Sequence, residues 1–222
     1  MQTTSALYKQ ILSNKDHIKE IKVEINGVEY RENNIISLKT SGGIFNKFSV
    51  GNASAKEIDL SVFPIEEIPR MAEIKVYFRL CYEDLQSEWL PKGTFFIDTR
   101  AKDEYTGALT IHGYDAMLKA EQLWAGQVGV YQTTAAQEIA SRIGVGFDAR
   151  NELNSSYSVV SDEDYTMRDI LKNIASCNGG NWIITDENNL LLIKLGDVSP
   201  ETNYLVDDNG FALLFGEVRI IV

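Results

Sequence analysis

The sequence predicts an α+β chain in which a predominantly antiparallel β-barrel or sandwich is followed by a small α+β module. Three observations predict it. Residues 91–122, PKGTFFIDTRAKDEYTGALTIHGYDAMLKAEQ, read as a hairpin running into a helix. Phe95, Ile97 and Thr99 alternate with Thr94, Phe96 and Asp98, and beyond a polar turn Leu109 and Ile111 alternate with Ala108, Thr110 and His112. Residues 20–125 carry further strands at short spacing with turn signals between them. Near residue 130 the apolar period changes to that of helices, which places a boundary at residues 126–132.

Taken in order, residues 1–20 form an N-terminal helical segment whose amphipathic part, residues 4–20, sets Leu7, Tyr8, Ile11 and Leu12 on one side. His17 lies in its charged continuation and reads as a solvated surface residue. The β domain spans residues 21–128. Ile21, Val23 and Ile25 alternate with Lys22 and Glu24, Asn26-Gly27 supplies a tight hairpin turn, and Val28-Glu29-Tyr30 starts the return. A strand follows near residues 35–39. Ile44, Phe45 and Phe48 then stand among glycines and polar residues, either as a hairpin tucked over the core or as a loop set against a neighbouring subunit. Ile58, Leu60 and Val62 mark another strand, and Ile74, Val76, Phe78 and Leu80 the next. The segment between them, FPIEEIPRMA, holds two of the four prolines and is a turn or edge. Past Gly113, Met117, Leu118 and Leu123 can share a helical face with Trp124.

The α+β module covers residues 129–196. Thr134-Ala-Ala-Gln137 fits a capping box opening a helix that runs to Gly144. Thr166-Met-Arg-Asp169 gives a second cap, followed by the stripe Ile170, Leu171, Ile174 and Ala175. Residues 182–185 and 190–194 read as paired strands. Residues 197–222 begin a further β segment ending on the apolar run VRIIV.

Composition narrows the function. At 222 residues and 24.9 kDa, folding removes roughly 70–75% of the extended-chain surface from water, so no covalent staples are needed. Cys81 and Cys177 read as free, largely buried thiols. The charge of −11, from 21 basic and 32 acidic residues, argues against nucleic-acid binding. The N-terminus lacks a basic region followed by an apolar run, and no window reaches the roughly 20 apolar residues of a membrane helix. Neither an export signal nor an anchor is therefore expected.

With His17 and His112 as the only histidines, histidine-based metal sites and serine or cysteine triads are nearly excluded by count. His112 reads as a core-edge residue. The acidic runs SDED (161–164) and DDNG (207–210) lack the spacing of a calcium loop and read as a helix start and a turn. No phosphate loop or G-x-S-x-G occurs. No catalytic residue, metal or cofactor is expected, and the chain reads as a non-enzyme.

Four stretches in this order, FSVGNASAKEIDLSVF, GTFFIDT, ALTIHGYD with AMLKAEQ, and YTMRDILKNIASCNGGNWIITDENNLLLIKL, resemble the hub proteins of phage-tail baseplates. That group includes contractile-tail hubs, the N-terminal hub part of tail-associated lysins and related secretion-system spike proteins. The resemblance touches most of residues 35–195. It implies a small β-barrel of the kind that builds tail tubes, and a structural subunit at the tail tip of a phage or prophage. Such a subunit joins tube to tip, keeps a central channel that DNA passes without sticking, and forms a homotrimeric ring with the tail tube and other baseplate proteins as partners. It is made and assembled in the host cytoplasm. Ile44, Phe45 and Phe48 are then candidate subunit contacts. Full hubs continue into a second barrel, so the chain is expected to be either a divergent short member or a truncated hub. The alternative function is a cell-envelope module that binds carbohydrate or degrades peptidoglycan.

Overall fold

In the computed structural model, the chain is described over residues 3–42, 49–126, 129–153, 157–159, 164–195, 214–215 and 218–219. The first helix, α1 (Ala6–Leu12), is much shorter than the segment the sequence predicts. Ser13 Oγ and Asn14 Nδ2 both donate back to the carbonyl of Gln10, at 2.7 and 3.0 Å, and stop the helix. Residues 18–20 belong instead to β1 (Ile18–Ile25), where pairing with a neighbouring strand satisfies their backbone. The Asn26-Gly27 turn forms as expected, with φ of 50° and 87°. It leads into β2 (Val28–Tyr30).

The remaining strands of the large sheet are β3 (Ile35–Gly42), β5 (Lys56–Val62), β6 (Glu73–Tyr82), β7 (Leu85–Gln86), β8 (Leu90–Lys102) and β9 (Leu109–Asp115). Their order is β2-β1-β6-β8-β9-β5-β3, every neighbouring pair antiparallel, with β7 beside β6. Alternation decides the faces. Val23, Ile58, Leu60, Ile74, Phe95 and Ile111 are at most 1% exposed and form one core with Tyr30. Burying each such side chain contributes about 1.5–3 kcal/mol.

Strands from both ends of the sheet contribute to this core, because the sheet curls. It stays a half-barrel, whereas the residue pattern leaves a barrel or a sandwich open and the family resemblance implies a barrel. The path ends at β2 on one side and at β3 on the other, and these ends are not paired. The cause is local: β2 stops after three residues, Asn34 and Ile35 donate to the Arg31 carbonyl in a turn, and the chain leaves to pair with β5.

The second unit is built from a 3-10 turn (Ala116–Glu121), α2 (Gln132–Ile143), α3 (Met167–Cys177) and a four-stranded sheet. That sheet orders β10 (Gly146–Phe147), β12 (Asn189–Lys194), β11 (Gly180–Ile184) and β4 (Asn52–Ala53). Trp182, fully buried, anchors its core and donates Nε1–H to the Leu171 carbonyl at 2.9 Å. Ala53, Ala116, Met117, Ala120 and Trp124 belong to the same core. The boundary expected at residues 126–132 therefore does not coincide with the border between the two cores.

Two local expectations need correction, and one strand was not expected at all. The run after β9 is a 3-10 turn that ends at Glu121, so no shared helical face reaches Leu123 and Trp124: Leu123 is 61% exposed, while Met117 and Trp124 are buried. Helix α2 starts at Gln132, ahead of the expected cap: Tyr131 is the N-cap and makes no side-chain bond, so Thr134 lies inside the helix. Strand β4 carries no period that marks it. Helix α3, by contrast, opens on the expected capping box, with Thr166 Oγ1 accepting from the Asp169 N–H and the Asp169 carboxylate accepting from the Thr166 N–H. Beyond the module, β13 (Leu214–Phe215) and β14 (Val218–Arg219) pair with each other.

Candidate assembly surfaces

The joint between the two units is held by a set of buried and half-buried polar bonds. Asp115, 1% exposed, ends β9 and caps the 3-10 turn. Its carboxylate accepts from the Lys56 N–H at 2.9 Å and the Met117 N–H at 3.0 Å. Burial pushes this carboxyl up to about 6, against the pull of those two donors and of Lys56 and Arg168. Lys56 Nζ reaches Asp186 Oδ1 at 2.5 Å, and Lys92 approaches the other oxygen at 3.4 Å. Asn181, also 1% exposed, accepts from the Asn52 N–H and donates to the Ser49 carbonyl, both at 2.8 Å. Arg168 donates to the Ala53 carbonyl and pairs with Glu121. These bonds fix the module against the β5 and β9 end of the sheet.

On the outer face of β1 and β6 a second cluster stands on Trp89. Lys22, Arg31 and Arg79 lie 5.3, 5.4 and 4.6 Å from its ring centre, and Lys22 also lies 4.6 Å from Tyr77. Each cation has a carboxylate partner. Arg79 Nε and Nη2 both sit 2.7 Å from Glu20 Oε2, Arg31 pairs with Glu29 at 2.5 Å, and Lys22 pairs with Glu24 at 2.8 Å. The Arg79 guanidinium holds the Glu20 carboxyl below the ordinary range, and burial pushes the neighbouring Cys81 thiol up. Aromatic and arginine side chains combined in this way characterise the energetic centres of protein contacts.

The segment between β5 and β6 presents Phe63, Ile65 and Met71 at 44, 54 and 62% exposure, while Ile68 beside them is buried. Met71 holds φ at 61°, a left-handed conformation that non-glycine residues seldom adopt. Sequence reasoning places this segment as a turn and gives it no surface role. Trp89 it does not single out at all. The signal for Trp89 lay in the outward alternation of Lys22 with Glu24 and of Tyr77 with Arg79, which only strand register brings together.

Ile44, Phe45 and Phe48 lie outside the described residues. His112 points from the outer face of the sheet: its Nδ1 is 2.8 Å from Asp59 Oδ1 and its ring stands edge-on to Tyr114. His17 Nδ1 contacts the Asn14 carbonyl at 2.6 Å in the turn after α1. Of the two acidic runs only Asp164 is described. Cys81 and Cys177 are free thiols, the first buried and the second exposed, so only one matches the expected burial. Among the described residues, no group of three or more acidic, histidine or cysteine side chains is placed to hold a metal. Nor is any helix among them long and apolar enough to cross a membrane.

A half-barrel joined to a small α+β module in this way is a fold seen in phage-tail proteins. The 43 kDa tail protein of prophage MuSo2 from Shewanella oneidensis matches with a TM-score of 0.56 at 11% identity, over 84% of this chain and 59% of that one. The tail protein from Neisseria meningitidis MC58 matches with a TM-score of 0.58 at 14% identity, over 85% of this chain and 54% of that one. The chain thus spans little more than half the length of either, and at these identities it is the fold that is shared. No protein-family profile and no curated protein matches the sequence.

Proposed function

We propose that the chain is a structural component of a phage or prophage tail, acting at the tail tip as a baseplate hub subunit that joins the tail tube to the tip around a central channel. The observation that carries this reading is the shared fold: sheet and module together match two solved tail proteins over more than four-fifths of this chain. The work of such a subunit is geometric. Rigid sheets and a bonded joint present fixed surfaces to neighbours, and the Trp89 cluster is a surface of the composition that contacts use. The net charge of −11 suits a protein beside a passage for DNA, since it opposes adhesion of phosphate backbones. In the assembled tail the copies form a trimeric ring, with the tube and other baseplate proteins as partners.

The test is gold-labelled antibody against the chain, applied to tail particles from the source strain and viewed by electron microscopy. Label confined to one end of the tail is the expected result. Label along the whole tube, or none on intact and opened particles alike, overturns the hub assignment.

A further inference from the structure

We propose that the tip of the β8–β9 hairpin is an arm that docks on a second copy of the chain, seating Tyr105 in the pocket that Arg70, Met71 and Asp98 line there. The tip is built for presentation. Tyr105 is 100% exposed. Asp103 Oδ1 accepts from the N–H groups of Tyr105 and Thr106 at 2.8 and 3.0 Å, and the Asp103 N–H donates to the Ala108 carbonyl at 2.8 Å. The turn is thus held in one shape before any contact, and a preformed aromatic tip loses little freedom on binding. The pocket, about 420 Å³, lies between Arg70 with Met71 and residues 97–100 of β8. It exists because β6 pairs with β8 only as far as Phe96, so the part of β8 from residue 98 onward has β9 on one side and, among the described residues, no strand on the other. Two backbone irregularities meet there: the bulge between Ile97 and Thr99, and the left-handed φ of 61° at Met71. Such irregularities re-aim side chains, and here Asp98 is exposed and Met71 is 62% exposed.

The tip cannot fill the pocket of its own chain. Tyr105 stands beyond Arg100 on a strand that rises about 3.3 Å per residue, and the pairing of Lys102 with Leu109 keeps the hairpin extended up to its turn. A second copy is the occupant because tip and pocket are complementary in charge. In the pocket Arg70 and Arg100 stand against a single carboxylate, Asp98, and Arg100 is already engaged with the Ile68 carbonyl. Arg70 is exposed and has no ion-pair partner among the described residues, and the same holds for Glu104 beside Tyr105. Docking pairs these two charges, sets the tyrosine ring against the Met71 thioether, and gives the phenol hydroxyl the Asp98 carboxylate as acceptor. Tip and pocket are different surfaces of the chain, so the contact is head-to-tail and can repeat around a ring. This deepens the reading of the chain as a ring-forming tail subunit and rests on it for its setting.

Thiol crosslinking on the purified full chain tests the contact, with Cys81→Ala and Cys177→Ser removing the native thiols. A chain carrying Thr106→Cys on the tip is mixed with one carrying Thr99→Cys at the pocket rim and a tag of different mass, and a short bis-maleimide is added across a concentration series. Both positions are exposed, and Glu104, Tyr105, Arg70, Met71 and Asp98 stay intact. Circular dichroism verifies that each variant is folded. The expected result is a crosslinked heterodimer that forms several-fold faster than from Thr106→Cys with Leu123→Cys, an exposed position on the other unit. Tyr105→Ala on the tip chain should slow the reaction several-fold. Arg70→Glu on the pocket chain should slow it as well, and Glu104→Arg on the tip chain should then restore the rate. Equal rates with the Leu123→Cys control, no heterodimer at any concentration, indifference to Tyr105→Ala, or a charge swap that restores nothing overturns the contact. So does an internal crosslink in a single chain carrying both Thr106→Cys and Thr99→Cys, which would show the tip reaching its own pocket. None of these failures touches the tail assignment, which the labelled particles decide separately.

Discussion

The backbone N–H of Lys56 donates to the buried carboxylate of Asp115 at 2.9 Å, and this bond joins the first residue of β5 to the last residue of β9. Asp115 also caps the 3-10 turn that enters the second core, so one side chain sits where sheet and module meet. The ionised group is costly there. With its carboxyl raised to about 6, against about 4 in an unfolded chain, the folded state binds a proton more tightly than the unfolded state between those values. Stability owed to this group therefore rises as pH falls through that window, and above it the charge costs folding about 3 kcal/mol.

Asp115→Asn cannot titrate, which isolates the effect. Urea unfolding of both proteins from about pH 7 to about pH 4 should show the wild type gaining up to about 3 kcal/mol relative to the variant. Parallel curves across that range would show that Asp115 titrates no differently in the folded and unfolded chains.

Trp89→Ala removes the platform shared by Lys22, Arg31 and Arg79. With three cation–aromatic contacts and part of an aromatic surface lost, the expected destabilisation is about 2 kcal/mol. Trp89→Phe should recover a good part of it. Denaturant midpoints measure both, and a loss below about 0.5 kcal/mol for the alanine variant would reduce the cluster to solvated ion pairs.

Two glycines in one hairpin should respond in unequal measure. A Cβ on Gly113 would sit 2.5 Å from the backbone carbonyl of Phe96 on the neighbouring strand β8, where nothing flexible can yield. Gly113→Ala should cost about 3 kcal/mol or more. Gly107 lies in the turn with open space around it but φ at 74°, so Gly107→Ala should cost only about 1 kcal/mol. Thermal unfolding of the pair ranks them, and similar melting points would mean that the sheet moves apart at Gly113.

Strands with one wet face were legible in the sequence because burial and alternation coincide there: Ile58, Leu60 and Val62 on β5 are buried and Asp59 between them is exposed. The Asn26-Gly27 turn and the Thr166 cap were legible because each is a local device. Features set by distant pairing were not. Strand β4 is two residues held by Trp182 and Asn181, more than a hundred positions away. The open seam depends on β2 stopping short, which no periodicity records. Of the candidate site, the subunit contacts expected from isolated aromatics fall outside the described residues. The Trp89 cluster draws on β1, β6 and the residues between β2 and β3, so only the sheet order assembles it.

The two threonines read as caps separate local signal from context. Thr166 caps α3 through a full reciprocal box, in which Asp169 returns a bond to the Thr166 N–H and is itself held below the ordinary aspartate range by the Thr166 hydroxyl. Thr166→Ala leaves the Asp169 N–H without its acceptor and should cost about 1 kcal/mol. Thr134 has the same sequence context but sits exposed in the first turn of α2, after a cap at Tyr131 that uses no side chain. There alanine is the better helix former, so Thr134→Ala should be neutral or stabilise by a few tenths of a kcal/mol. Urea unfolding distinguishes the two. A cost of about 1 kcal/mol for Thr134→Ala would place the α2 cap at Thr134 after all, and would shorten that helix to the start its sequence suggests.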